Sequence, residues 1–156
     1  MEDKIMHDGH RQRLRERFLR EGIDHFEDHN ILELLLFFGI PRKDTNVLAH
    51  NLMKEFGTLS GVLEAPFEEL CKVKGITQNA AFLISMMPQL CRKYLDDKYS
   101  TGQVLNSTEK VGKFLLHKYI GRKDEMVCMI CMDNKCRILY WGIISEGSVS
   151  AREVSI

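Results

Sequence analysis

Apolar residues recur at helical spacing through roughly the first hundred positions, and then give way to short continuous runs. Leu14 and Phe18 lie one turn apart in a stretch, Gly9 to Arg20, that is otherwise rich in arginine, and Gly22 follows where a helix would stop. The run Ile31 to Phe38, ILELLLFF, is apolar nearly all round. It predicts a buried central helix, capped by Asp28 or Asn30 and broken by Gly39-Ile40-Pro41. Asp44 or Thr45 caps a third helix with Val47, Leu48, Leu52 and Phe56 inward, and Gly57 closes it. Leu59 to Leu63 reads as a short helical turn, and Pro66 opens a helix over Phe67 to Cys71. A long helix after Thr77 reaches about Tyr94, with a kink or break expected at Pro88. Lys98 to Gln103 is the expected linker.

Beyond it, Ser107 or Thr108 caps a helix with Val111, Phe114, Leu115 and Ile120 toward a core. Met126 to Met132 reads as a strand buried on both faces. Asp133-Asn134-Lys135 is a turn signal, and Arg137 to Ile144 forms the partner strand of a hairpin. Ser145-Glu146-Gly147 should break that strand, and a further element starts near Val149. The expected fold class is therefore α+β. An all-helical domain over 1–99 precedes an incomplete α/β piece over 103–156, a helix plus a β-hairpin.

The stretch Leu70 to Ile84 carries the sharpest signal. Leu70 and Val73 share one face of a short helix, Gly75-Ile76 makes the turn, and Ala80, Ala81 and Ile84 start the packed face of the next helix. This looks like a helix-hairpin-helix, a module that grips a nucleic-acid backbone without reading bases. Gly75 is free to take positive φ, Ile76 plugs the turn into the core, and the following helix offers unpaired N–H groups to an anion. Thr77 stands where the strongest such hairpins carry a second glycine; it suits an N-cap. An ordinary packing hairpin would show the same pattern. Lys74, Gly75, Ile76 and Thr77 are the candidate DNA contacts. Arg42 and Lys43 join them, because Pro41-Arg-Lys-Asp-Thr-Asn46 sets two cations directly before a helix N-terminus. Leu34 to Met53 is a candidate degenerate second copy, with Gly39-Ile40 in the place of Gly75-Ile76.

Charge limits what such a site achieves. The chain holds 22 Lys and Arg against 22 Asp and Glu, and residues 1–99 alone hold 14 against 16. Backbone binding must then be local, weak and salt-sensitive. No apolar run approaches a membrane span, and the N-terminal segment lacks an apolar signal core, so a cytoplasmic protein is expected. Five cysteines, an odd number, then point to reduced thiols.

Other constellations have plainer explanations. Cys128 and Cys131 fall on opposite faces of a strand, so with Cys136 they read as core positions rather than a metal knuckle. His25-Phe-Glu-Asp-His29 lacks the glutamate directly after its first histidine that a zinc-protease helix needs, and reads as loop. His7 and His10 only add charge to a basic stretch. Arg11, Arg13, Arg15, Arg17 and Arg20 suit either phosphate contact or a solvated helix face, with Glu16 and Arg20 as an i,i+4 pair; the solvated face is preferred.

Taken in order, Asp8 to Phe18, ELLLFFGIPRKDTNVLAH, FGTLSGVLEAP, KVKGI, STEKVGKFL and EMVCMICMDNKCRIL resemble the RadC family of bacterial proteins over nearly the whole chain. The resemblance implies a helix-hairpin-helix region followed by a domain similar to the JAB/MPN zinc hydrolases, and a traditional association with DNA repair. It also implies an acid/base glutamate, which Glu125 matches, serving a zinc-bound water. The family's zinc ligands, a His-x-His-Pro element and an aspartate after a serine, have no counterpart before Ile156. The expectation is therefore a truncated family member or fragment, with Glu125 vestigial, no metal or other cofactor, and zinc only in a full-length form. A JAB-type isopeptidase completed by a longer chain is one alternative, and a protein-interaction module is another. A lone helix and hairpin also expose an apolar strand edge, which predicts docking onto the helical domain or self-association.

Overall fold

A computed structural model of the chain describes residues 2–99 and 102–147; side chains are described from Gly9 onward. The expected element near Val149 lies outside the described residues. Helices precede a single antiparallel hairpin, as an α+β chain should: α1 Glu2–Glu21, α2 Asp28–Gly39, α3 Asn46–Phe56, α4 Leu59–Glu64, α5 Phe67–Lys72, α6 Gln78–Tyr99, α7 Thr108–Leu116, β1 Glu125–Met132 and β2 Ile138–Gly147. The chain divides into two compact units, one ending at Met87 and the other beginning at Pro88.

The first unit is built around α2. One side of this helix, Leu32 and Leu36 with Ile40 just beyond it, meets Ala49 and Leu52 of α3, Val62 of α4, Leu70 of α5 and Ala80, Ala81 and Ile84 of α6. The opposite side, Phe37 flanked by Ile31 and Leu34, packs on Leu14 of α1 and on Phe26. A helix apolar nearly all round is therefore used as the layer between two clusters. Glu33 breaks that pattern: it is fully buried and held by His10 and Asn46.

Several local expectations need correction. Phe18 is exposed, because Leu14 alone of that pair reaches α2. Asp28 is the first helical residue of α2 rather than its cap, and no side chain caps that helix. The Asp44 carboxylate accepts from the Asn46 N–H before α3, while Thr45 makes no capping bond. Val47 is 57% exposed. Asn46 turns toward Glu33, so α3 sets Ala49 and Leu52 inward and leaves Val47 outside. His29 belongs to α2, where its ring stacks on His50 of α3 at 4.3 Å.

Helix α6 continues to Tyr99 and runs through Pro88 without a break. One missing donor costs about 3 kcal/mol. Packing on both sides offsets it. Ile84 is buried in the first unit, and in the second Arg92 donates to the Ile120 carbonyl at 2.5 Å while Asp96 takes the Lys118 ammonium.

In the second unit Ser107 caps α7, accepting from the Lys110 N–H at 3.3 Å. Phe114, Leu105 and Ile138 form the core, with Val111, Leu115, Ile130 and Trp141 around them. Ile120 lies beyond α7 and is only half-buried. Lys118, one turn past α7, is buried with its ammonium over the rings of Phe114 and Trp141, 5.0 and 4.4 Å from their centroids. Strand β1 is not buried on both faces. Met126 is covered, but Val127, Met129 and Met132 are exposed, because among the described residues β1 pairs with β2 alone. Nor do Ser145 to Gly147 break β2. The register shift between Val127 and Cys128 takes up Ile144, and pairing resumes to Glu125 and Gly147.

Candidate nucleic-acid interface

The Lys74–Thr77 turn has the geometry its residues predict. Helix α5 stops at Lys72, the Ile76 N–H closes on the Val73 carbonyl at 3.1 Å, and Gly75 sits at φ +94°. A side chain at Gly75 would be strained, and its Cβ would come within 2.6 Å of Leu48 Cδ2. The turn is thus seated on α3. Ile76 packs against the main core, and Lys74 and Gly75 face solvent.

Thr77 links this turn to a second loop. Its hydroxyl accepts from the Ala80 N–H at 3.1 Å, capping α6, and donates to the Gly39 carbonyl at 3.0 Å. Gly39 touches α6 directly, since a Cβ there would lie 2.6 Å from Ala80 Cα. The last residue of α2 and the first turn of α6 are therefore in backbone contact, and the Pro41–Asp44 loop leaves from that point. No acceptor among the described residues takes the N–H of Gly75, Thr77, Gln78 or Asn79. Arg42, Lys43 and Lys74 are exposed and have no ion-pair partner among the described residues. The Thr77–Gly39 bond thus ties the turn carrying Lys74, Gly75, Ile76 and Thr77 to the helix end from which the loop bearing Arg42 and Lys43 leaves.

The Leu34–Met53 segment is not a copy of the hairpin. Gly39 ends α2 without positive φ, and the left-handed residue is Arg42, at φ +64°. Gly39 serves close approach, and the longer loop after it makes the turn. Arg11 fixes that loop. This arginine is buried, not part of a solvated face. Its guanidinium donates to the carbonyls of Phe37 at 3.4 Å, Ile40 at 2.8 Å and Lys43, and lies over the Phe37 ring at 4.7 Å. Arg17 behaves similarly, donating to the His25 carbonyl at 2.8 Å and covering the Phe26 ring. The missed signal was spacing: Arg11 falls on the same stripe as Leu14 and Phe18.

The UPF0758 N-terminal family matches residues 5–82, which contain this whole arrangement and half of the chain. The chain belongs to the UPF0758 family. It is 36% identical over 117 residues to a UPF0758 protein of Fusobacterium nucleatum, an alignment covering 74% of this chain and 50% of that one. It is 31% identical over 146 residues to a UPF0758 protein of Psychrobacter cryohalolentis, covering 92% and 63%, and 30% identical to one of Acinetobacter baumannii, covering 93% and 62%. The chain thus spans between half and five-eighths of the length of these UPF0758 relatives. No solved structure matches it.

The remaining candidate of this UPF0758 chain stands apart. Glu125 opens β1, exposed and paired across to Gly147. Among the described residues no three His, Cys, Asp or Glu side chains converge as a metal site would require. Cys128, Cys131 and Cys136 are free, half-buried thiols. No helix of the described residues is long and apolar enough to cross a membrane.

Proposed function

We propose that the end of the helical unit formed by the Lys74–Thr77 turn and the Pro41–Asp44 loop binds the sugar–phosphate backbone of DNA without reading its sequence. The observation that carries this is the set of acceptor-free N–H groups at the exposed residues Gly75, Gln78 and Asn79, tied through Thr77 and Gly39 to a loop bearing Arg42 and Lys43. A phosphate accepts hydrogen bonds from such N–H groups and is favoured by the positive end of the helix dipole. The cations next to it add attraction that carries no base information. The two loops are held by hydrogen bonds and a backbone contact, so little order is lost when a ligand arrives. A DNA-contacting role agrees with the repair association that the RadC resemblance implies.

Fluorescence anisotropy with duplexes of unrelated sequence, over a series of salt concentrations, tests this reading. Three cations predict a slope of log affinity on log salt of about −3, from roughly −0.9 per phosphate neutralised. Affinity should be equal across sequences and fall when Arg42, Lys43 and Lys74 become alanine. Binding that ignores salt, or that survives the triple substitution unchanged, rules the reading out.

A further inference from the structure

We infer that the cleft beside this turn, between the C-terminal half of α3 and the α5–α6 connection, receives an unpaired nucleobase, so that the interface prefers duplex carrying a single-stranded extension to blunt duplex. The inference rests on the backbone grip proposed above and names the form of DNA it serves.

The cleft has a volume of about 360 Å³, within the range of small-ligand sites. Lys74 belongs both to its lining and to the turn, so a strand gripped at the turn passes the cleft mouth. Phe56 and Val73 form an apolar wall, and both are half-buried against the main core, so the wall is fixed in place. A flat heteroaromatic face suits such a wall, and base–aromatic contact tolerates any sequence.

The charged groups of the cleft are of both signs, with Lys54, Lys72 and Lys74 beside two carboxylates, so cations are at hand for the phosphates flanking a bound base. Glu55 and Glu69 both line it, and Glu69 is held at 2.6 Å by the Lys72 ammonium. The carboxylates can accept from the exocyclic amines of a base. The Asn51 side-chain amide, exposed and engaged by no partner among the described residues, offers one donor and one acceptor side, the complement of a base edge. In a blunt duplex those edges are paired and the faces stacked. An unpaired nucleotide alone presents both.

The full chain is titrated against one blunt duplex and against the same duplex with a short single-stranded extension, and separately against adenosine alone, followed by the amide resonances of Asn51 and Gly75. The extension should tighten binding about fivefold or more, the range one stacked base provides. Asn51→Ala should abolish that gain and leave the blunt-duplex affinity unchanged. Adenosine should shift the Asn51 side-chain amide and not the Gly75 backbone amide. Failure of both duplexes with a surviving adenosine shift at Asn51 removes the backbone grip and leaves the base cleft standing. Equal affinity for blunt and extended DNA, a gain that persists in Asn51→Ala, or no adenosine shift at Asn51 overturns the inference.

Discussion

The hydroxyl of Thr77 donates to the carbonyl of Gly39 at 3.0 Å while accepting from the first turn of α6. One side chain thus satisfies an orphan carbonyl at the end of one helix and an orphan N–H at the start of another. It also sets the distance between the two loops proposed to share a phosphate backbone. A glycine at this position, as in stronger hairpins of the type, would leave both groups without that partner.

Thr77→Val keeps the shape of the side chain and removes both hydrogen bonds. Loss of an N-cap costs about 1 kcal/mol, and a carbonyl left without its donor raises the total to roughly 2 kcal/mol. Urea unfolding should show that loss, with Thr77→Ser restoring most of it. Duplex affinity should fall further than stability predicts, because the loop carrying Arg42 is no longer held. Equal stability of the valine and serine variants would show that the hydroxyl contributes nothing.

Arg11 makes the same kind of link from the other side. Its guanidinium serves the carbonyls of Phe37, Ile40 and Lys43 at once. A lysine has the charge but not the planar fork, so Arg11→Lys should behave more like Arg11→Met than like the parent. Hydrogen bonds from a charged donor contribute about 1.5–3 kcal/mol, and either variant should lose an amount in that range by chemical denaturation. A fully stable lysine variant would show that charge alone matters there.

These links mark the boundary of what the sequence reveals. Leu70, Ala80, Ala81 and Ile84 were legible because helical spacing alone places them, and all four are buried. The turn at Gly75 was legible because few residues other than glycine take φ +94°. Arg11 and Glu33 were not, because a charged residue defaults to solvent unless its partners are known, and those partners lie 13 to 32 positions away. The solvent face of β1 was misjudged for a related reason. A run such as Met126 to Met132 has the same composition whether one face or two is covered. The contact between Thr77 and Gly39 joins residues 38 apart, and no local pattern encodes it.

The end of α1 offers a pH test. The Glu21 carboxyl is held below the ordinary glutamate range, first by its hydrogen bonds from Arg20 and then by that from Arg17. A depressed folded value means the contribution is present above the unfolded value and is lost as pH falls through the folded one. The carboxyl is exposed, so the effect on stability is small. By NMR the Glu21 side chain should titrate at a lower pH than an isolated glutamate, and Arg20→Ala should raise its midpoint more than Arg17→Ala does. Any difference in melting temperature between the parent and Glu21→Gln should shrink to nothing in strong acid. A midpoint unmoved by Arg20→Ala would contradict the assignment.

Glu33 gives the sharpest prediction for the helical unit. Its carboxylate is buried, with Oε1 2.9 Å from His10 Nε2 and Oε2 accepting from the Asn46 amide at 3.2 Å. It therefore joins α1, α2 and α3 through one side chain. Removing a partner from a buried carboxylate is costly, whereas replacing the acid by an isostere of matching shape costs less. Glu33→Ala leaves the Asn46 amide without its acceptor and should destabilise by about 1–3 kcal/mol. Glu33→Leu fills the space between apolar neighbours but strands Asn46, and should fall between alanine and parent. His10→Ala should be milder, because His10 is only half-buried and water replaces it at Oε1. In a double-substitution cycle, His10→Ala and Glu33→Leu should be less than additive, since the second change removes the group that the first left unpaired. Strict additivity would show that the two residues touch without interacting.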